Sequence, residues 1–578
     1  MSDWRDYPCD DVFDEWEGGL LMKCYVADFE TTTDPADCRV WAWGAAAVDE
    51  PYMATFEFGN SIESFMEWCE DHANCRVYFH NLGFDGAFIL DHIERNGWEW
   101  REDDKKPGSR FYTTLIGDSN QFYDVTLYFN KFRRVQLYDS LKVIPMSVAA
   151  MAKAYGLEML KGSIDYSEYR EPGHELTDEE LDYLQNDVLI VAQVLKTFLD
   201  AGLTKMTIGS NALYDFQETV GKYRGFRQLF PELDADEDAF IRRAYRGGFT
   251  YADERTRGKK VGEGIVFDVN SLYPSVMYYE DMPCGMPRWF DGEPIYDEFR
   301  PLWVANVSCV FHVREGHIPC IQLKNSIKFV ATEYITDSDG IANMTVTNID
   351  WDLINEQYDV QVVEWHGGYT FSSVNGTFCK YIDKWMEEKI KATHDGNKGK
   401  RQIAKLMLNS LYGKFATRME AYARKPVIGK DDVVCYEDLP PVVRKPVYLP
   451  VGVFITSYAR AKTVRAAQSV YQRFLYADTD SLHILGTDVP ECLEVDDAEL
   501  GLWKLESRFT EAKFLRAKCY VEKMGDGLTV HVSGMPAYIH PQVRIDTFDL
   551  GQVYHGKLYQ VRVPGGIVLV EGDMELRK

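Results

Sequence analysis

The sequence predicts a multidomain α/β protein, from its length, its globular composition and the alternation of strand-like and helix-like patterns. The chain has 578 residues, and at roughly 150 residues per domain it has room for about four cores. Apolar residues make up 46% and aromatic residues 14%, whereas disordered chains combine high net charge with too few apolar residues to collapse. In the first two hundred residues, short apolar runs of strand length alternate with segments of helical period.

Residues 1 to 20 read as an acidic extension. Leu21 to Ala27 is the first strand and ends at Asp28-Phe29-Glu30-Thr31. Arg76 to Phe79 is another, leading through His80-Asn81-Leu82-Gly83-Phe84-Asp85-Gly86 into the helix-like Ala87 to Ile93. A helix begins at Thr177-Asp178-Glu179-Glu180, a capping box, and Leu181, Leu184, Val188, Val191, Leu195 and Phe198 repeat at spacings of 3 and 4. This α/β unit runs to about residue 207. Gly264 to Phe267 is a strand before Asp268, Arg401 to Gly413 a helix with Gly413 as its stop, and Tyr476 to Ser481 the turn of a β-hairpin. Pro283 to Arg300 and Pro440 to Pro450 interrupt the pattern.

Several function classes are excluded. No run approaches the ~18 apolar residues of a membrane span, and the acidic N-terminus is unlike a signal peptide, so a soluble intracellular protein is expected. The twelve cysteines form no CxxC pair, which removes zinc ribbons and thioredoxin-type motifs. GxxxxGK[ST], HExxH and GxSxG are absent. Gly262 to Phe267 starts like a dinucleotide-binding loop without its last glycine, and His366-Gly367-Gly368 reads as a turn. The balance of 63 Lys+Arg against 91 Asp+Glu, a net −28, speaks at first against nucleic acid, whose phosphates draw on lysine and arginine.

The acids are nevertheless arranged. Asp28 and Glu30 stand at i and i+2 near a strand end, so an extended backbone projects both to one side. Tyr183 and Asp187 lie one turn apart on the flank of their helix, and Asp85 follows a strand. Oxygen ligands without His or Cys suit Mg²⁺ or Mn²⁺, and a pair of such ions supports phosphodiester hydrolysis. Singly, each acid reads equally well as a solvated side chain or a cap. A second set, Asp268, Asp478 and Asp480, repeats the i, i+2 spacing. Between its members, Arg401, Lys405, Asn409 and Tyr412 share one line of a helix whose other side holds Ile403, Leu406, Met407 and Leu411. A cationic helix face beside a carboxylate metal site suits a polyphosphate, although such faces are also common on solvated helices.

In order, DFETT, HNLGFDGAF and YLQND resemble the three exonuclease motifs of proofreading DNA polymerases. DVNSLYP, KLMLNSLYG and YADTD resemble motifs A, B and C of family B DNA polymerases. Lys518-Cys519-Tyr520 is similar to the KxY motif of that family, and Tyr245-Arg246-Gly247-Gly248 to its YxGG motif. The compact length and two surplus segments, 282–378 and 415–447, resemble the protein-primed bacteriophage members. The resemblance implies a ribonuclease H-like 3′–5′ exonuclease domain (21–207) after the acidic extension (1–20). A right-hand polymerase would follow: palm (208–281 and 448–532), fingers (379–414) and thumb (533–578). The first insertion (282–378) would contact a terminal protein, and the second (415–447) would give strand displacement and processivity.

It also implies residue roles. Asp268, the main-chain oxygen of Val269 and Asp480 would hold the polymerase metals, with Asp478 in support. Tyr273, Lys391, Lys405 and Tyr412 would bind the nucleotide, and Tyr245, Gly247, Gly248, Lys518 and Tyr520 would bind DNA. In the exonuclease, Asp28, Glu30, Asp85 and Asp187 would bind metal and Tyr183 would orient water. Thr31, His80, Asn81, Phe84, Ser140, Leu141, Lys161 and Tyr166 would hold the frayed end. Two Mg²⁺ ions, or Mn²⁺, are implied per site. The implied partners are template and primer DNA, deoxynucleoside triphosphates, a terminal protein, and viral single-strand and double-strand DNA-binding proteins. The enzyme would be a monomer, or a heterodimer with the terminal protein, in the cytoplasm of a bacterial host. A DNA-primed polymerase and a decayed nucleic-acid-binding replication protein are the alternatives.

The charge objection then softens. The windows Ile241 to Val261, Lys389 to Lys405 and Lys504 to Lys523 carry net charges of +5, +5 and +3. DNA is expected in a channel lined by these windows, with the acidic excess on the outer surface and in the N-terminal extension.

Overall fold

A computed structural model describes residues 22–51, 55–159, 161–166, 168–323, 333–444 and 446–577; the acidic extension lies outside them. The strand Lys23–Thr31 runs parallel to Cys75–Phe79 on one side and antiparallel to Val40–Ala47 on the other. The second ladder continues past Ala27, with Asp28 opposite Gly44 and Glu30 opposite Ala42, so both acids belong to the last four residues of the strand. Arg133–Asp139, Phe122–Asn130 and Phe111–Gly117 extend the sheet. The helix Asp178–Asp200 covers one face with Leu184, Val188, Val191 and Leu195, and its capping box is formed. The helices Ile62–Asp71 and Leu82–Arg95 cover the other. The latter begins at Leu82 and not at Ala87, because Asn81 takes the left-handed turn (φ 79°) and buries Leu82. Asp85 therefore sits in a first helical turn.

This sheet also recruits chain from far downstream. Ala423–Ile428 pairs with Phe111–Gly117, and Val434–Asp438 completes the edge, giving ten strands. Most of the second surplus segment is therefore built onto the first unit. The helices Ile208–Thr219 and Lys398–Phe415 pack together, so the start of the expected palm lies against the helix expected in the fingers. Gly413 does not stop its helix. Phe415 is buried two residues later, 5.5 Å from the Phe230 ring and 6.1 Å from that of Phe216, and this burial carries the helix onward.

A second, five-stranded sheet has the order Trp503–Phe509, Gly264–Val269, Ser481–Leu485, Phe474–Asp478, Thr250–Ala252. The helix Leu449–Ser469 packs against it, with Pro450 in the first turn, where no amide bond is lost. A third sheet joins Lys260–Val261 to Glu511–Arg516, Cys519–Met524 and Gly527–Val532. The first surplus segment forms its own four-stranded sheet. The region after Pro283 opens as the strand Met282–Phe290 with an irregularity between Cys284 and Arg288. His366-Gly367-Gly368 is not a turn but part of the strand Tyr358–Val374. A Cβ on Gly368 would stand 2.1 Å from the Val304 carbonyl oxygen, so glycine permits the strands to meet. The chain ends in the hairpin Val553–Val563 and Gly566–Glu575. No described helix is long and apolar enough to cross a membrane.

The first sheet carries a buried polar stripe of Arg76, Asp124 and Gln136. Burial pushes the Asp124 carboxyl up to about 7, against the pull of its Thr126 hydrogen bond and of Arg76. Between about pH 4 and pH 7 the folded state thus holds a proton that the unfolded state releases, so this residue's contribution to stability falls as pH rises. Asp124→Asn is expected to stabilise the protein relative to the native chain more at pH 8 than at pH 5.5. The difference is on the order of 1.4 kcal/mol per unit of pH within that window, read as thermal midpoints at the two pH values.

Candidate active sites

In the first unit, strand register and the start of a helix bring Asp28, Glu30, Asp85 and Asp187 together. Burial, then Asp187, pushes the Asp28 carboxyl up to about 7, with Lys161 opposing. Burial and then Asp28 hold both Glu30 and Asp85 well above the usual carboxylate range. Asp187 is raised by burial and eased by the ion pair it makes with Lys161. One oxygen each of Asp85 and Asp187 is buried without a partner among the described residues. Buried acids that repel one another and leave oxygens unbonded form a hard-oxygen donor set that fits divalent cations. Among the described residues no three of them stand ready at metal-ligand spacing; Lys161 holds Asp187 in the meantime.

Neighbours named from the sequence gather here. The Tyr166 hydroxyl donates to Glu30 at 3.0 Å and lies 3.1 Å from the Tyr183 hydroxyl. Tyr183 itself is buried, with Tyr166 exposed above it. His80 contacts the Ser140 hydroxyl at 3.0 Å and the Met146 carbonyl at 2.7 Å. Thr31 ends its strand, Phe84 stands one turn into its helix beside Phe88, and Asn81 is exposed at that helix start. Asp139 was missed. One of its oxygens accepts the backbone N–H of both Asn81 and Leu141 at 3.0 Å, so it fixes two of the predicted contacts. Its only trace in the sequence was its place just before Ser140-Leu141.

A second acidic site forms on the five-stranded sheet. Asp268 pairs with Ser481 on one side and Lys504 on the other. The Val269 N–H donates to the Asp480 carbonyl at 2.8 Å, placing the two acids side by side. Burial, then Asp480, then Glu506 push Asp268 up to about 7, with Lys405 and Lys504 opposing; Asp480 is raised chiefly by burial. Asp478 is differently placed, accepting from Lys518 Nζ at 2.9 and 3.0 Å and from Thr250 at 3.0 Å. Its charge is already paired, which suits a supporting acid.

On the helix Lys398–Phe415, Arg401, Lys405 and Asn409 are exposed, while Ile403, Met407 and Leu411 are buried; Leu406 is only half-buried. The Tyr412 ring lies 4.0 Å from that of Tyr273. Lys391 does not join this cluster. It is exposed on the neighbouring helix, and Lys389, two residues earlier, is the one whose ammonium is lowered by burial and by Arg401, Lys405 and Lys504. Two residues are about 200° on a helix, so Lys389 and Lys391 stand on opposite faces. Tyr520 is also buried, its ring stacked 4.5 Å from His531, so little of it can meet a ligand.

Behind the site, Gly248 lies against Thr479, which takes φ 61° between the two acids. Arg460 donates to the carbonyls of Arg246 and Gly247 at 2.7 and 2.9 Å and pairs with buried Asp350. Thr463 donates to the Thr479 carbonyl at 2.7 Å. Tyr245 is half-buried beside them. Neither Asp350 nor Arg460 belongs to a motif, and only proximity reveals them.

The basic windows contribute less than their sums imply. Between 241 and 261, Arg242, Arg255, Arg257 and Lys260 all pair with acids and Arg246 is buried. Between 504 and 523, Lys513 and Lys518 are paired too. The cluster of Lys389, Arg401, Lys405 and Lys504 remains. A cavity of about 770 Å³ between the first unit, the helix Lys398–Phe415 and the segment 417–447 adds Lys142, Lys414, Arg418 and Arg444.

Residues 70–171 and 165–498 match the family model described as DNA polymerase type B, organellar and viral. The chain is 40% identical over 583 residues to the DNA polymerase of Bacillus phage phi29, covering 96% of this chain and all of that one. It is 31% identical to the DNA polymerase of Streptococcus phage Cp-1, covering 96% and 99%. The structure of phi29 DNA polymerase complexed with primer-template DNA and incoming nucleotide superposes with a TM-score of 0.90 at 38% identity, over 96% of this chain and 100% of that one.

A Cβ on Gly248 would stand 2.6 Å from Thr479, whereas one on Gly247 meets nothing within 4 Å. Gly248→Ala is therefore expected to destabilise the protein by about 1–3 kcal/mol and Gly247→Ala by less than about 0.5 kcal/mol, measured by urea unfolding.

Proposed function

The chain belongs to the organellar and viral type B DNA polymerases, and from that premise we propose that it replicates a linear viral genome by protein-primed, strand-displacing synthesis with 3′–5′ proofreading. That it is a DNA-directed DNA polymerase follows from full-length likeness to phage DNA polymerases. The observation that supports proofreading beside synthesis is the presence in one chain of two separate carboxylate sites, each with raised pKa values and its own lysine partners.

In polymerisation, Asp268, the Val269 carbonyl and Asp480 would hold two Mg²⁺ ions; in proofreading, Asp28, Glu30, Asp85 and Asp187 would do so. When bound, the ions lower the pKa of the attacking hydroxyl or water and stabilise the leaving oxygen. Lys405, with Lys389, neutralises the triphosphate of the incoming nucleotide. Tyr273, stacked on Tyr412, lies under the sugar and excludes a 2′ hydroxyl. Lys518, held by Asp478, faces the primer strand. Tyr183 and Tyr166 orient the attacking water, and Lys161 moves from Asp187 to the scissile phosphate. His80, Ser140, Leu141, Asn81, Phe84 and Thr31 grip the unpaired end.

Two surfaces support the remaining roles. The cavity lined by Lys142, Lys414, Arg418, Arg444, Tyr123 and Tyr422 combines cations with aromatic rings, as a single-stranded template path requires. This supports unwinding ahead of the site. The first insertion exposes Ile295, Tyr296 and Phe299, each more than three-quarters, an apolar surface suited to a protein primer. The setting is the cytoplasm of a bacterial host, with viral single-strand and double-strand DNA-binding proteins as further partners.

Asp480→Ala is expected to abolish primer extension and leave 3′–5′ degradation, and Asp28→Ala to do the reverse; loss of both activities in either variant would contradict two separate sites. For priming, incubation with the candidate terminal protein and labelled dATP is expected to transfer label to that protein. A DNA-primed enzyme would leave it unlabelled.

A further inference from the structure

The two motifs that must meet at a primer terminus sit on different sheets. The DTD turn belongs to the five-stranded sheet, between Phe474–Asp478 and Ser481–Leu485, and Lys518-Cys519-Tyr520 opens the strand Cys519–Met524 of the four-stranded sheet. Between the sheets lies an apolar cluster of Val266, Leu475, Tyr476, Ala512, Phe514 and Tyr520. Apolar packing is non-directional and by itself sets no register.

A fully buried polar contact crosses that layer. Nδ1 of His483 lies 2.8 Å from Oε1 of Glu522. A carboxylate only accepts, so the imidazole donates. Both residues are 1% exposed. The imidazole stands edge-on to Tyr476, Phe514 and Tyr520, at 5.2, 5.5 and 5.2 Å between centroids. Its Nε2 has no partner among the described residues, so the bond to Glu522 alone sets the ring's orientation. The tyrosines so placed reach the site directly. The Tyr476 hydroxyl accepts the Lys518 backbone N–H at 2.9 Å and donates to Asp478 at 3.3 Å, while Lys518 Nζ binds the same carboxylate.

We infer that His483 and Glu522 are positioning residues that lock the KxY strand in register with the DTD turn, so that the primer 3′ hydroxyl is presented to Asp268 and Asp480. Neither touches substrate; they act through Tyr476, Tyr520 and Lys518. A buried charged hydrogen bond of this kind contributes little net stability over an apolar pair of the same shape. What it adds is direction, and breaking one partner leaves the other buried and unpaired. The inference rests on the polymerase reading of that site. It adds that primer placement, and hence the balance between extension and removal, depends on a bond remote from the reacting atoms.

The test is the dNTP concentration at which extension of a paired primer balances its degradation, alongside 3′–5′ degradation of single-stranded DNA by the same preparation. Glu522→Leu and His483→Phe are expected to raise the balance concentration about tenfold or more, the scale of a lost buried bond to a charged group, with degradation of single-stranded DNA unchanged. Glu522→Gln keeps an acceptor oxygen and is expected to stay within about threefold of the native chain. An unchanged balance in Glu522→Leu and His483→Phe would overturn the inference. So would equal loss of both activities in all three variants, which would make the pair a general support of the fold. Extension by the unmodified chain is the control that separates failure of the site assignment from failure of the pairing.

Discussion

Like-charged carboxylates held side by side under protein are the constraint on which the rest of the structure depends. Each buried, unpaired charge is costly, and placing several together multiplies the cost. The fold meets this in the first site with rigid placement and one cation. Asp28 and Glu30 are fixed by the antiparallel ladder to Val40–Ala47, Asp85 sits at the positive end of a helix, and Lys161 covers Asp187. In the second, Asp268 is pinned between two strands, while the turn bearing Asp480 is tied through Val269, Phe249 and Thr463. Such over-determination lets Thr479 keep its left-handed backbone between the two acids.

The frame that holds these sites apart is built from chain segments far from one another in sequence. Arg95, on the helix that carries Asp85, pairs with Asp91 and Asp432, and Asp91 also accepts the backbone N–H of Gly565 at 3.0 Å. Arg562 lies 4.5 Å over the Tyr436 ring. The first unit, the hairpin 423–438 and the terminal hairpin thereby close on one another. The segment 282–374 is anchored separately, through Asp350 and Arg460, to the loop behind Asp478 and Asp480. Side-chain order at either acidic cluster is inherited from this scaffold.

Much of this was legible in the sequence, and what was not has identifiable causes. Short-range signals held: the Thr177 capping box, the polar face of the helix bearing Lys405, and the hairpin around Thr479 follow from neighbouring residues alone. Reading failed where tertiary packing decides. Phe415 drew its helix past Gly413, the hairpin 423–438 joined a sheet three hundred residues upstream, and Gly367-Gly368 served strand contact and not a turn. Summed charge misled for the same reason, since a window of cations does not say which are already paired. Lys389 belongs to no motif, and His483 and Glu522 give no local sign that they will meet.

Both acidic clusters, as proposed, are cation sites, and each binds independently of the other. Calorimetric titration of metal-free protein with Mn²⁺ tests this without any catalytic readout. Two classes of site are expected, one lost in Asp85→Asn with the other intact, and the converse in Asp268→Asn. A single class of site, or the loss of both in either variant, would contradict it.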